Sequence, residues 1–280
     1  MTLVLAATPL GNPLDASERL KMAIASADII AAEDSRRFHR LAADLGTTFT
    51  AKIISFFEGN ESDRTSELLE YLRAGKEVLV VTDAGMPTIS DPGFRLMRDA
   101  IAENIPTRVI PGPSAPTMAV ALSGLPTDRF TFEGFIPRAQ GARSTFFEKL
   151  RFEERTMVLF EAPHRLTESL ADALQVFGAE RGAAICREMT KTYEEVIRGS
   201  ISSLLAWAEN REVLGEITLV IAGVSEGSEE KSAADSVTRV KEYEAAGMDR
   251  KEAIATVAQE TGLPKKIVYA AVVDANKMSR

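Results

Sequence analysis

The chain has 280 residues, with 45% hydrophobic residues, 26% charged residues and a formal net charge of −8 at pH 7. This length exceeds the usual size of one domain, so we expect two principal domains. Since no apolar run approaches the ~20 residues that cross a bilayer, we expect no membrane partner. The acidic balance disfavours nonspecific nucleic-acid binding but leaves room for a local basic groove.

The chain begins MTLVLAATPLGNP, which lacks the basic start of a signal peptide and is typical of a first strand. We therefore expect a cytoplasmic protein. One cysteine and two histidines argue against a disulfide and against a Cys- or His-based metal site. Cys186 lies in a strand-like run, which predicts a buried apolar side chain rather than a nucleophile.

Strands and helices alternate through the first part of the chain, which we assign to an N-terminal α/β domain, residues 1–123. Helical stretches such as ASERLKMAIASA separate the strands and predict a mainly parallel sheet covered by helices. The predicted strands are 3–8, 28–32, 52–55, 77–82 and 107–110.

Three of these strands run into loops rich in glycine and proline: LVLAATPLGNP, VTDAGMPTISDPG and RVIPGPSAP. Glycine permits positive φ and proline fixes φ, so such loops have a defined shape. Open α/β sheets bind ligands at the carboxyl ends of their strands, which predicts a ligand site here. The alternative for the second loop is an ordinary turn, in which Ser90 or Asp91 caps a helix that begins near Pro92.

Proline, glycine and aromatic residues concentrate at 124–138, which we interpret as the crossover into a second α/β domain, residues 124–225. The short interval before EEVIRGSIS predicts an antiparallel hairpin and hence a mixed sheet. Strands are predicted near 129–134, 156–161, 183–188, 194–199 and 216–222.

The polar stretch GVSEGSEEKSAADS then has the composition of a linker. Three short amphipathic helices punctuated by Gly247 and Gly262 follow it and predict a small helix-turn-helix-like tail, residues 236–280.

Polar side chains also follow strands of the second domain. Glu161 ends one strand, and Glu188 and Lys191 follow another. Their simplest roles are N-capping by Glu161 and a surface ion pair between Glu188 and Lys191. Loops at strand ends on two adjoining domains can instead form one shared cleft, which is a preferred place for ligands.

The densest basic cluster of the chain lies in SRRFHRLAADL. Arg36, Arg37, His39 and Arg40 suit contact with phosphates. They equally suit a solvated helix face with ion pairs to Glu33, Asp34 or Asp44.

Eight motifs occur in one order along the chain: ATPLGN, AAEDSR, SFFEGNE, VTDAGMPTISDPG, PGPSA, GLPTDRFTFEGF, EAPHR and REMTK. In this order and spacing, residues 1–225 resemble the ribosomal RNA small subunit methyltransferase I family, which has the tetrapyrrole-methylase (class III) methyltransferase fold. The final helices resemble the helix-turn-helix-like tail of that family. Phe57 and Met86 depart from the family pattern, in which His and Thr are usual.

The resemblance implies methyl transfer from S-adenosylmethionine to the ribose 2′-hydroxyl of a cytidine in the decoding region of 16S rRNA. It also implies a cytoplasmic homodimer with 16S rRNA or the small ribosomal subunit as its partner. The cofactor positions that it implies are Asp83, Ala84, Gly85, Pro111, Gly112, Ser114, Glu161, Ala162, Met189 and Ala222.

A ribose hydroxyl is a weak acid, so its attack on the methyl group needs positioning and favours a general base. The candidates for the base, chosen because they lie at strand ends, are Glu161, Glu188, Lys191 and His164. Residues suited to RNA contact are Arg36, Arg37, Arg40, Arg138, Arg165, Lys265 and Lys266.

Three other functions bear comparison with this one. A tetrapyrrole methyltransferase of the same fold would share the cofactor loops but would not need the basic cluster or the helical tail. A nicotinamide-dependent oxidoreductase needs a G-x-G-x-x-G loop after the first strand, and ATPLGNPLD has none. A helix-turn-helix regulator needs a strongly basic recognition helix, whereas GLPKKIVYAAVVD has only two lysines.

Overall fold

The computed structural model describes residues 1–224, 228–261, 263 and 265–278. The chain forms two compact units, Met1–Gly223 and Val224–Arg280. Among the described residues, no helix is both long and apolar enough to cross a membrane.

The first sheet of the larger unit is entirely parallel, as the sequence predicts. Its strand order is β3-β2-β4-β1-β5. The strands are β1 (Thr2–Ala6), β2 (Ile29–Ala32), β3 (Lys52–Ser55), β4 (Glu77–Val81) and β5 (Thr107–Ile110).

Helices cover both faces of this sheet because successive apolar side chains of each strand point to opposite sides. Leu3 and Leu5 of β1 pack with α3 (Glu61–Arg73) and α4 (Phe94–Ala102). Val4 and Ala6 pack with α1 (Glu18–Ser26) and α2 (Ser35–Asp44) on the other face.

The second sheet is mixed, with strand order β6-β7-β10-β8-β9, and the predicted hairpin is its antiparallel β8–β9 pair. Only β6 and β7 pair in parallel, while β10 is antiparallel to both β7 and β8. The strands are β6 (Phe130–Phe135), β7 (Thr156–Glu161), β8 (Gly182–Arg187), β9 (Glu195–Ser200) and β10 (Ile217–Ile221).

One face of the second sheet packs on α6 (Gln140–Leu150), α7 (Leu166–Phe177) and α8 (Ile201–Glu209). The other face packs on α5 (Ala115–Ser123), the helix that follows the last strand of the first sheet. Cys186 is 1% exposed in this second interface, and burial raises the pKa of its thiol to about 11, so the predicted apolar role is confirmed.

The smaller unit consists of α9 (Ser228–Ala245), α10 (Arg250–Thr261) and α11 (Lys265–Met278). The prediction of a linker over GVSEGSEEKSAADS is wrong for residues 228–236, which begin α9. This stretch contains glutamate, lysine and alanine, which have high helix propensity and favour a helix despite the polar composition. Residues 225–227 and Gly262 lie outside the described residues.

The cap of α4 comes from a residue distant in sequence. The helix starts after Gly93, and its first N–H groups, those of Gly93 and Arg95, both donate to Glu61 Oε1 at 3.0 Å. Capping by Ser90 or Asp91, the local alternative, is therefore wrong. Glu61 is 8% exposed, so it ties α3 to the start of α4 inside the protein.

Glu61→Ala should lower the free energy of unfolding by about 1–3 kcal/mol, because it leaves the buried N–H of Gly93 and the partly buried N–H of Arg95 without an acceptor. Chemical denaturation monitored by circular dichroism measures this change. The exposed Glu58→Ala is the matched control and should change stability by less than about 0.5 kcal/mol. Equal stability of the two variants would contradict the capping role.

Candidate active site

A cavity of about 360 Å³ lies between the two sheets of the larger unit. The carboxyl edge of the first sheet supplies one wall through the loops after β1, β2, β4 and β5. The second sheet supplies the other wall through the ends of β6 and β7 and the start of β10. Because β10 is antiparallel to β7, its amino end meets the carboxyl end of β7 at this edge.

The loop after β4 is fixed to β1 by a pair of reciprocal hydrogen bonds. Thr8 N–H donates to Gly85 O at 2.9 Å, and Gly85 N–H donates to Thr8 O at 3.1 Å. Gly85 has φ of 83°, and a Cβ there would lie 3.1 Å from Leu10 Cδ2. Gly85 therefore shapes the cavity wall, and its main-chain polar groups are already bonded to Thr8.

The same loop contains two non-glycine residues with left-handed backbone, Thr88 with φ of 77° and Ser90 with φ of 62°. A β-branched residue in this region is uncommon and costs conformational energy. Such strain concentrates at functional sites. The loop is therefore built for a defined shape, as its glycine and proline content predicts.

Three carboxyl groups gather on the first wall of the cavity: Glu33 after β2, and Asp83 and Asp91 after β4. Asp83 Oδ2 pairs with Arg37 Nη1 at 3.1 Å, and Glu33 Oε2 accepts the Asp83 N–H at 3.1 Å. Burial raises the pKa of both Glu33 and Asp83. Burial and the charge of Glu33 raise the pKa of Asp91 to about 7.

Sequence reasoning assigned only Asp83 to the site and missed Glu33 and Asp91. Glu33 lies in the AAEDSR motif, but nothing local shows that β2 is the neighbour of β4. For Asp91 the sequence also allows a role as a helix cap, which gives no reason to place it in the site.

Glu161 lies on the second wall and is 2% exposed. Its carboxylate accepts hydrogen bonds from Ala162 N–H at 2.7 Å, from the Arg165 guanidinium and from the Ser169 hydroxyl. Arg165 is thereby held inside the protein, with 14% of its side chain exposed.

The predicted ion pair between Glu188 and Lys191 is present, with Oε1 and Nζ 2.8 Å apart. Lys191 Nζ also lies 3.0 Å from Glu216 Oε2, at the cavity wall. Its aliphatic stem contacts Gly11 closely enough that a Cβ there would overlap it. The ion pair therefore joins the loop after β1 to the second sheet beside the cavity.

Six of the predicted cofactor positions line the cavity: Asp83, Ala84, Gly85, Ser114, Glu161 and Ala162. The other four do not. Gly112 packs on Ala7 in the same loop as Pro111, and Met189 packs in the core beside Cys186. Ala222 follows the carboxyl end of β10, at the opposite edge of the sheet, whereas Gly215, Glu216, Ile217 and Thr218 line the cavity at its amino end.

His164, a predicted catalytic residue, is exposed in the turn Pro163–Arg165 and does not line the cavity.

A more open depression adjoins the cavity and shares Leu10, Arg37 and Asp83 with it; its charged lining consists of three arginines and three aspartates. The guanidinium of Arg36, one of its lining residues, bonds to Asp34 and lowers the pKa of that carboxyl to about 2. Arg40 also lines it, is exposed and forms no ion pair with any described residue. Arg36 therefore forms one of the predicted ion pairs, whereas Arg37 pairs with Asp83, which is not one of the predicted partners. A role of the cluster in RNA contact stays a prediction.

The remaining residues predicted to contact RNA lie elsewhere. Arg138 is exposed just after β6. Lys265 and Lys266 are exposed at the start of α11 in the smaller unit, where they line a groove with Tyr269. Arg165 pairs with Glu161 and is mostly buried, and its contact with RNA stays a prediction.

Residues 2–205 match the family described as Tetrapyrrole (Corrin/Porphyrin) Methylases. The chain is 45% identical to ribosomal RNA small subunit methyltransferase I of Mycobacterium bovis, over 98% of this chain and 95% of the relative. It is 39% identical to the protein of the same name from Halalkalibacterium halodurans, over 96% and 93% of the two chains.

Among solved structures, uroporphyrin-III C-methyltransferase from Thermus thermophilus, complexed with S-adenyl homocysteine, matches with a TM-score of 0.53. It is 15% identical and covers 79% of this chain and 96% of its own, which shows a shared fold. The order of the strands and the relatives together place this chain in the ribosomal RNA small subunit methyltransferase I family, with the fold of the tetrapyrrole methylases.

Proposed function

We propose that the protein transfers a methyl group from S-adenosylmethionine to the ribose 2′-hydroxyl of a cytidine in the decoding region of 16S rRNA. The observation that carries the proposal is the cavity between the two sheets, in a chain 45% identical to a small subunit rRNA methyltransferase. A tetrapyrrole substrate has the shared fold in its favour, but the named relatives at this identity support rRNA.

The cavity fits this cofactor in size and in chemistry. Its volume of about 360 Å³ lies in the range of small-molecule sites. Leu10, Met86, Ile89 and Phe160 supply apolar walls for an adenosine. The Thr82 hydroxyl, buried at the end of β4, has no well-formed hydrogen bond among the described residues.

The cofactor supplies an activated methyl group, and the chain supplies its positioning. Ser114 stands at the N-terminus of α5, where its side chain makes no capping bond. The free N–H groups and positive dipole end of a helix suit an anion such as the cofactor carboxylate. We assign cofactor contacts to Asp83, Ala84, Ser114 and Ala162, with Gly85 shaping the wall.

None of the four candidate bases is placed to accept a proton freely. The oxygens of Glu161 are already bonded, and His164 lies outside the cavity. Glu188 and Lys191 form an ion pair with each other, and Lys191 also pairs with Glu216. We therefore expect most of the rate enhancement to come from positioning, in which the protein holds the two reactants in contact and in the right orientation.

The adjoining depression is the proposed RNA contact through Arg40, which has no ion-pair partner in the part of the chain that the structure describes. The exposed Arg138, Lys265 and Lys266 extend this assignment. The resemblance to the family adds a cytoplasmic homodimer acting on 16S rRNA or the small ribosomal subunit.

The division of the chain into domains at 1–123, 124–225 and 236–280 also stays a prediction.

Incubation with methyl-labelled S-adenosylmethionine and small ribosomal subunits, or free 16S rRNA, should label one cytidine of the decoding region. A 2′-O-methyl group blocks alkaline cleavage at the labelled nucleotide, so hydrolysis and chromatography identify the methylated atom. Label on a base, or on a porphyrin and not on rRNA, would overturn the proposal.

Glu161→Gln should lower the free energy of unfolding by about 1–3 kcal/mol, because an amide cannot neutralise the mostly buried Arg165. Denaturant titration measures the loss. Glu18→Gln, at an exposed ion pair with Lys21, is the control and should change stability by less than about 1 kcal/mol. Unchanged stability with abolished methyl transfer would return Glu161 to the role of proton acceptor.

Arg40→Ala should weaken binding to a 16S rRNA fragment and reduce the slope of log affinity against log salt by about one. Arg36→Ala should have a smaller effect, because Arg36 already pairs with Asp34. Fluorescence anisotropy across a salt series gives both slopes. Arg73→Ala, at the end of α3 on the other face of the sheet, is the control. An Arg40 variant with the wild-type slope would move the RNA path to Arg138.

A further inference from the structure

The carboxylates of the cavity differ in whether a cation neutralises them. Asp83 pairs with Arg37, Glu161 with Arg165 and Glu216 with Lys191. Glu33 and Asp91 line the same cavity, and neither forms an ion pair with any lysine, arginine or histidine among the described residues. Two carboxyl groups in one small cavity thus lack counter-charges.

The surroundings of Asp91 show that this arrangement is unfavourable when the cavity holds only water. Glu33 and Asp83 face it with like charge, and Arg37 is held by Asp83. The Thr82 side chain, 3% exposed, lies close enough to stabilise the charged form of Asp91 slightly. Yet the Thr82 hydroxyl makes no well-formed hydrogen bond to any residue that the structure describes.

A buried carboxylate without a counter-charge is stabilised by a cation that enters its site. The described residues contain no group of three or more acidic, histidine or cysteine side chains arranged to hold a metal ion. The apolar side chains of Leu10, Met86 and Phe160 in the same cavity favour an organic cation. S-adenosylmethionine carries two cationic centres, an ammonium and a sulfonium, whereas its demethylated product keeps only the ammonium.

We propose that Glu33 and Asp91 form the anionic subsite that receives a cationic centre of the cofactor, and that Asp91 releases a proton when the cation binds. This inference rests on the cofactor half of the proposed function and is independent of the methylated atom. No bond to carbon forms or breaks in this step, and the released proton goes to the solvent.

The pH dependence follows from the raised pKa of Asp91, about 7 without a ligand. A bound cation lowers this pKa, because an opposite charge favours the ionised carboxylate. Cofactor affinity should fall as the pH drops below 7, approaching tenfold per pH unit, because a protonated Asp91 must lose its proton before it can pair with the cation. At pH 7, where about half of the Asp91 groups carry a proton, binding should release about half a proton.

Isothermal titration calorimetry of the full-length protein with S-adenosylmethionine tests the proposal. Titrations at pH 6–9 in buffers of different ionisation enthalpy give the affinity and the number of protons released. Asp91→Asn should weaken binding at pH 8 by about 10- to 100-fold, as expected for loss of a charged contact, and should abolish the proton release. Asp63→Asn, exposed on α3 and of equal charge change, is the control and should bind like the wild type.

Titration with S-adenosylhomocysteine separates the two cationic centres. A loss of affinity confined to S-adenosylmethionine places the sulfonium at the acidic subsite, and an equal loss for both ligands places the ammonium there. Wild-type affinity of Asp91→Asn for S-adenosylmethionine would overturn the proposal. The pH series on the wild type needs no variant, and binding without proton release at pH 7 would also overturn it. Failure of the wild type to bind S-adenosylmethionine at all would instead overturn the proposed function.

Discussion

The reciprocal main-chain hydrogen bonds between Thr8 and Gly85 are the constraint on which the site depends. β1 and β4 are parallel neighbours, and just beyond their ends these two residues form an antiparallel bridge. The chain after β4 must therefore reverse locally, which only a residue that tolerates positive φ allows without strain. The bridge residue Gly85 lies between Asp83 and Asp91 in sequence, and both of these carboxylates line the cavity.

The second constraint is the direction of β10. It lies between β7 and β8 and is antiparallel to both, so its amino end lies at the edge where β7 ends. Helix α5 leaves the first sheet and packs against the second, which brings the two edges together. One cavity consequently has one wall from each sheet, and its charges come from elements far apart in sequence.

Local patterns predicted most of the fold but only part of the site. The buried run at Leu3 to Ala6 and the Glu188–Lys191 pair are visible in sequence because their interactions are local. The cap of α4 by Glu61 and the meeting of Glu33 with Asp91 depend on strand order, which no local pattern contains. Ala222 lies away from the cavity for a related reason: the direction of β10 decides which of its ends faces the cavity.

A crystal structure of the full-length protein with S-adenosylhomocysteine tests the central claim most directly, because it shows whether both sheets contribute to one ligand site. We expect the ligand to lie in the cavity and to contact the loop after β4, the start of α5 and the amino end of β10. A ligand held by the first sheet alone, or bound elsewhere on the chain, would contradict it.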